Sequence, residues 1–303
     1  MVSSPAIPTE LVAHAAAKLN LYLHITGTRD DSYHLVDSLV VFAQLGDQLR
    51  LEVGTAQPLD LVITGPFAEV LSQFATADNL IMRAATALAD HTGQTTHGLR
   101  FTLDKHLPLA GGIGGGSADA AAAIRLLCGL WGIAYDRADI MALATALGAD
   151  LPACLISKPV ITRGIGEQLT PVTNLPVLPA VLVNPGSAQP TPRVFKTRRA
   201  LNLPFDRAVS WPAATPFTAH DLTAWLQSHT ANGLDAAARS LAPSIEQALA
   251  SLNDTEGCNM ARMSGSGSTC FGLFGTNAAA EKAATRLQAR HPEWWVRATV
   301  LAG

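Results

Sequence analysis

The sequence of 303 residues predicts an α+β protein made of two domains. Three observations carry that reading. The first hundred residues run mostly as apolar, strand-like segments broken by polar turns. Near the middle, a glycine-rich stretch leads straight into an alanine-rich helical run. The last third orders its segments helix–strand–strand–helix–strand, the order of a split, ferredoxin-like α+β sandwich.

Composition sets the bounds. Apolar residues make up 48% of the chain and charged residues 15%, so a sizeable core can form. The net charge is −3, with Lys and Arg spread along the chain, which argues against a nucleic-acid partner. Cys128, Cys154, Cys258 and Cys270 stand far apart with no CxxC spacing, so neither a zinc site nor a redox dithiol is expected. The opening MVSSPAIPTE lacks the basic start and apolar run of a signal peptide. No apolar run reaches the ~20 residues of a membrane span. The expectation is a cytoplasmic protein without a membrane partner, monomeric or weakly dimeric.

Taken in order, LVAHAAAK and LNLYLHITG read as strands before the polar turn TRDDSY. LVDSLVVFAQLGDQLRLEV reads as two strands joined at Leu45-Gly46-Asp47. Asp78-Asn79 starts a helix that ends at Gly93, and LRFTLDK is a further strand. The glycine stretch opens the next helix at about Ser117. Asp136, with Asp139 three residues on, caps another that stops at Gly148. Proline-rich passages at 171–192 and 204–216 read as connections. Three helices (DLTAWLQSHT, APSIEQALASLN, NAAAEKAATRLQAR) and three strands (CNMARMSG, STCFGLF, EWWVRATVLA) complete the chain. The abundance of alanine reads as a compositional habit.

The chemistry centres on PLAGGIGGGSADA. Five glycines fill six positions, 111 to 116. Glycine lets backbone N–H groups approach a ligand closely, and a helix start adds free N–H groups and a positive dipole end. Together they form a cradle for a phosphate chain. It is not a Walker A loop, because no lysine follows the last glycine, and not a GxGxxG dinucleotide fingerprint. Elsewhere, Lys18 lies in an apolar strand-like run and Asp150 follows a helix end before an extended Leu-Pro. A solvated face is the ordinary place for the first and a solvated turn for the second. Tyr33 and His34 follow a turn; they could anchor it, or stack on and hydrogen-bond a base. Ser264-Gly-Ser-Gly-Ser268 reads equally as a hairpin turn or as a second loop near the first. Arg193, Lys196, Arg198 and Arg199 read as a solvated helix face.

Pro108-Leu-Ala-Gly-Gly112-Ile-Gly114-Gly-Gly-Ser117-Ala-Asp-Ala resembles the PxxxGLGGGSSDAA phosphate loop of the GHMP kinases. Six further segments agree in order: Ala17–Leu21 with Gly27 and Tyr33-His34, Asp78-Asn79-Leu80, Leu147–Pro152, Gly164–Glu167, Pro185-Gly186 with Pro190–Pro192 and Val194-Phe195, and Met263–Gly267 with Thr269–Phe271. Departures are Ser32 where a glycine is usual before Tyr33, and Ala118 in place of the loop's second serine.

The resemblance implies the two-domain GHMP kinase fold. A ribosomal protein S5 domain 2-like N-terminal domain would cover 1–163 and a ferredoxin-like C-terminal domain 164–303. It implies ATP as co-substrate with Mg²⁺, held along Pro108, Leu109, Ala110, Gly111, Gly112, Ile113, Gly114, Gly115, Gly116, Ser117 and Ala118. It implies Asp150 as general base, with Lys18 polarising the accepting hydroxyl. Asn20, Tyr33, His34 and Thr191 would bind substrate. The GGGS-x-DA ending is most similar to the branch that phosphorylates the 2-hydroxyl of a cytidine-diphosphate-linked methylerythritol, in isoprenoid precursor synthesis. A homoserine- or mevalonate-type kinase is the alternative; Tyr33-His34 argues against it, since those substrates carry no base. No acidic cluster in the sequence names metal ligands.

Overall fold

The structure is a computed structural model and describes residues 9–31, 33–212 and 218–301. Ser32 and part of the second proline-rich passage lie outside them. The chain divides into two compact units that interleave in sequence. One comprises Met1–Ala16, Gly46–Leu107 and Gly115–Ile156; the other comprises Ala17–Leu45, Pro108–Gly114 and Ser157–Gly303. A cut at residue 163 would fall inside a strand, Val160–Gly164.

Each of the first two strands feeds both units. LVAHAAAK and LNLYLHITG form one strand, β1 (Glu10–Thr28), and the next two expected strands form one, β2 (His34–Val53). The expected break at Leu45-Gly46-Asp47 is instead the place where β2 passes from one unit to the other. A Cβ on Gly46 would lie 2.3 Å from the Ala15 carbonyl oxygen, so the two backbones meet there too closely for any side chain.

In the first unit, the end of β2 pairs antiparallel with β4 (Leu99–Asp104), from Gln48↔Asp104 to Val53↔Leu99. β3 (Asp60–Thr64) runs parallel to β4 on its other side. A single turn, α1 (Ala68–Leu71), follows β3. The helix α2 (Leu80–Thr92) starts as expected: the Asn79 side chain accepts the Ile81 N–H, and Gly93 ends it at φ 69°. α3 (Gly115–Trp131) begins two residues before the expected Ser117. It packs against α2 and α5 (Leu151–Ile156). Its alanines 118 and 120–123 are buried, so they are what lets neighbouring helices approach rather than a habit of composition. α4 (Ala138–Leu147) starts after Arg137 with no side-chain cap; Asp136 does not cap it, and Asp139 sits in its first turn. Leu151-Pro152, expected to be extended, opens α5, with the Asp150 carbonyl accepting the Cys154 N–H.

In the second unit, the start of β2 pairs antiparallel with β5 (Val160–Gly164), which pairs with β6 (Gln168–Pro171). β7 (Leu178–Asn184) is buried throughout. It lies between β10 (Trp295–Leu301) and β9 (Cys270–Phe274), with β8 (Cys258–Met263) beyond β9. With α9 (Ser244–Asn253) and α10 (Asn277–Arg290) packed on it, the sheet has the ferredoxin-like strand order, as expected. Its helices also include α6 (Thr191–Ala200), α7 (Ala219–His229) and α8 (Asp235–Leu241). β7 was expected to be a connection because of its prolines. Pro179 is tolerated because it pairs only with Val300 of β10; pairing with β9 begins one residue later, at Ala180. Among the described residues, no helix is long and apolar enough to cross a membrane.

The close approach at Gly46 predicts that Gly46→Ala destabilises the fold by ~1–3 kcal/mol. Gly129 lies within α3 with nothing within 4 Å of a built Cβ. Gly129→Ala should therefore stabilise it by ~0.5–1 kcal/mol. Urea midpoints at constant slope measure both; equal midpoints for the two variants would contradict the packing described.

Candidate active site

The glycine loop is held by backbone contacts that leave no room for side chains. In the second unit, a Cβ on Gly112 (φ 73°) would lie 2.5–2.7 Å from Ser264 O and from Gly267 N and O. One on Gly111 would lie 2.8 Å from Thr269 Oγ1 and 2.9 Å from Asn184 Nδ2. The Thr269 N–H donates to Gly111 O at 2.9 Å, and the Ser264 hydroxyl to Gly112 O at 3.1 Å. The turn 264–268 is therefore not a bland hairpin loop: it is the surface on which the glycine loop rests. It is braced from beneath by the Asn232 amide, whose Nδ2 donates to Met263 O at 2.8 Å and Gly265 O at 2.9 Å.

β1 runs along this loop. The Lys18 N–H donates to Ile113 O at 2.9 Å. The buried Lys18 side chain lies against Gly114, where a Cβ would be 3.0 Å from Lys18 Cβ and 3.3 Å from Cε. A strand lysine on a solvated face is thus not what the fold provides. Two residues on, the Asn20 N–H donates to Ser264 Oγ at 3.1 Å and its Nδ2 to Ser38 Oγ at 2.7 Å. The Asn20 Oδ1 is buried without a hydrogen-bond partner. Such an orphaned acceptor costs about 1–3 kcal/mol, which a donor on a ligand would relieve. Thr191 Oγ1 lies 2.9 Å from Ser266 Oγ, which ties the start of α6 to the same turn.

Tyr33 and His34 stand at the head of β2. Tyr33 is 58% exposed, its ring under the Arg29 guanidinium at 5.6 Å. The His34 ring lies 4.8 Å from that of Phe195, with 36° between planes. Burial first, then the charges of Arg199 and Arg198, hold the His34 imidazole below its ordinary value, which favours its neutral form. The basic run on α6 is not uniformly solvated: Arg198 is 3% exposed and donates to the Gly233 and Pro204 carbonyls.

The first unit holds Gly115–Ala118 at the start of α3, and Asp150. Asp150 is exposed and immediately precedes α5. Near the start of α3 lies a group that sequence reading missed. Lys105, 1% exposed, places its Nζ 2.6 Å from both Asp47 Oδ2 and Asp119 Oδ2. Its signal was an unusual one: a lysine closing the alternating strand β4 at the position where the strand meets the loop. Asn184 was also passed over. It is marked only by what the fold brings beside it, Thr269 and Gly111.

The arrangement offers phosphate oxygens backbone N–H groups, beside a buried lysine and an unsatisfied amide. Among the described residues, no group of three or more His, Cys, Asp or Glu could hold a metal ion.

Residues 79–158 match the family described as GHMP kinases N terminal domain, and residues 215–293 match GHMP kinases C terminal. The chain is 47% identical over 293 residues to the 4-diphosphocytidyl-2-C-methyl-D-erythritol kinase of Dinoroseobacter shibae, covering 96% of this chain and 95% of that one. Identity to the enzyme of the same name from Rhodospirillum rubrum is 44% over 298 residues, 97% and 93% of the two chains. A crystal structure of 4-(cytidine 5'-diphospho)-2C-methyl-D-erythritol kinase is similar with a TM-score of 0.77 at 31% identity, covering 97% and 100%. Homoserine kinase from Cytophaga hutchinsonii has a TM-score of 0.69 at 16% identity, covering 99% and 97%, a likeness of fold alone.

Gly112→Ala and Gly265→Ala each set a Cβ against backbone across the two loops. Each should lower kcat/KM for ATP by about 10²-fold, as for a misplaced phosphate group. Steady-state assays on folded protein measure this, and wild-type values would contradict the docking described.

Proposed function

The chain belongs to the GHMP kinases, and on that premise we propose that it transfers the γ-phosphate of ATP to the 2-hydroxyl of 4-diphosphocytidyl-2-C-methyl-D-erythritol. The products are the 2-phosphate and ADP, a step of the non-mevalonate route to isoprenoid precursors. The observation that carries this is near-half identity over almost the whole chain to enzymes of that name.

Each residue then has a task. The N–H groups from Pro108 to Ala118 that are free of internal bonds receive the phosphates, proline supplying none; Mg²⁺ bound with ATP would offset phosphate charge. Phosphoryl transfer needs placement and charge balance more than covalent help. Asp150 takes the hydroxyl proton, and Lys18 polarises the same hydroxyl and offsets developing charge. Asn20 presents its orphaned Oδ1 to a substrate hydroxyl, and Thr191, at the start of α6 and hydrogen-bonded to the same turn, contacts substrate from there. Tyr33 and Phe195 offer faces for a pyrimidine, and the neutral His34 a hydrogen bond to its edge. A neutral ring suits that role, since it can accept as well as donate. We assign the nucleotide to the 1–163 portion of the sequence and closure over substrate to 164–303. The cytoplasm is the proposed location, and a monomer or weak homodimer the proposed state.

ATP turnover with the cytidine substrate, homoserine and mevalonate in parallel tests the assignment. Turnover is expected with the first; turnover with only one of the others contradicts it. Asp150→Asn should lower kcat about 10²–10⁴-fold, as for the loss of a positioned base. A loss within about threefold would remove Asp150 from that role.

A further inference from the structure

The glycine loop carries no lysine of its own, yet a buried ammonium sits at the helix start that it leads into. Lys105 Nζ lies 2.6 Å from Asp47 Oδ2 and 2.6 Å from Asp119 Oδ2. All three residues are at most 3% exposed. Asp47 Oδ1 accepts the N–H groups of His106 at 2.6 Å and Leu107 at 2.8 Å, the residues that lead into the loop. Asp119 is the fifth residue of α3. A Cβ on Gly115, the first residue of α3, would lie 3.2 Å from Lys105 Nζ. One ammonium thus joins the β2 segment in this unit, the end of β4 and the first turn of α3.

The charges do not balance. Two carboxylates share one ammonium, and the second oxygen of Asp119, Oδ1, is buried with no partner. Burial pushes the Asp119 carboxyl up to about 7, against the pull of Lys105 and with the push of Asp47. The charged groups acting on it are these two. The buried face of α2 carries no ionisable side chain, and that of α5 only the Cys154 thiol. Breaking a buried cluster of this kind costs more than it contributes as a mere tie, so a purely apolar plug would serve stability as well. Its location gives it a use.

We propose that Lys105 is a positioning residue for the nucleotide: clamped by Asp47 and Asp119, its ammonium fixes the first turn of α3 so that the free N–H groups there meet a phosphate. Lys105 acts through the backbone and through the field at the helix start. The inference rests on the kinase reading above. Wild-type turnover with ATP tests that reading on its own, independently of any Lys105 or Asp119 variant.

The test is steady-state kinetics of Lys105→Met and Asp119→Asn, with ATP and the alcohol substrate varied in turn. Lys105→Met should raise KM for ATP about tenfold or more and leave KM for the alcohol within about twofold. Asp119→Asn keeps the shape and the Lys105–Asp47 pair, and serves if Lys105→Met does not fold. In wild type, ionised Asp119 adds negative charge near the phosphates, so KM for ATP should rise as pH rises through about 7. Asp119→Asn should flatten that rise relative to wild type, the ionisation of ATP being common to both. A merely structural tie would lower thermal stability and active fraction while leaving KM for ATP and its pH profile as in wild type. That result from both variants, or from Asp119→Asn alone if the other fails to fold, would overturn the proposal.

Discussion

The site depends on a contact between two stretches of bare backbone. Gly112 of the loop and the turn at 264–268 approach so closely that a Cβ on Gly112 would overlap the Ser264 carbonyl and the Gly267 backbone, and one on Gly265 the Gly112 carbonyl. Only residues without side chains can make that contact, which is why glycine recurs in both segments. The contact orders the residues around it. Thr269 and Ser264 close hydrogen bonds onto Gly111 and Gly112, and Asn20 is joined to Ser264 in the same move. The turn in turn rests on Asn232 and reaches Thr191 through Ser266. The strand β1, the glycine loop and the start of α6 are thereby fixed by one small patch of backbone. Rigid placement of this kind is what phosphoryl transfer requires of a protein.

Charge is arranged with the same restraint. Lys18 lies buried beside Gly114, and Lys105 is buried between two carboxylates near Gly115. Neither follows the glycines in sequence, as a Walker lysine does. At the head of β2, burial and its arginine neighbours lower the His34 imidazole below its ordinary value, and its ring lies beside Phe195.

Much of this was legible in the sequence. The loop, the ferredoxin-like order of the last third, and the cap and stop of α2 depend on local chemistry, and local chemistry is what a sequence displays. The family could be read from seven ordered segments. The misses share a cause. The long strands β1 and β2 look like pairs of short ones because they change surroundings midway, at residues 16–17 and 45–46. β7 was hidden because its proline sits where only one neighbour needs an N–H. Lys105 and Asp47 are 58 residues apart, and Asn20 and Ser264 are 244 apart. No pattern along the chain announces a partner that only folding supplies. The alanines of α3 looked incidental until helices were seen packed on both sides.

The most direct measurement is a crystal structure with the cytidine substrate and a non-hydrolysable ATP analogue bound. Phosphate oxygens should lie on the N–H groups of the 110–117 loop, with Gly112 still seated on the 264–268 turn. Asn20 Oδ1 should accept a hydrogen bond from the substrate. Phosphates bound elsewhere, or an Asn20 amide left without a ligand donor, would contradict the placement that the backbone contact is held to provide.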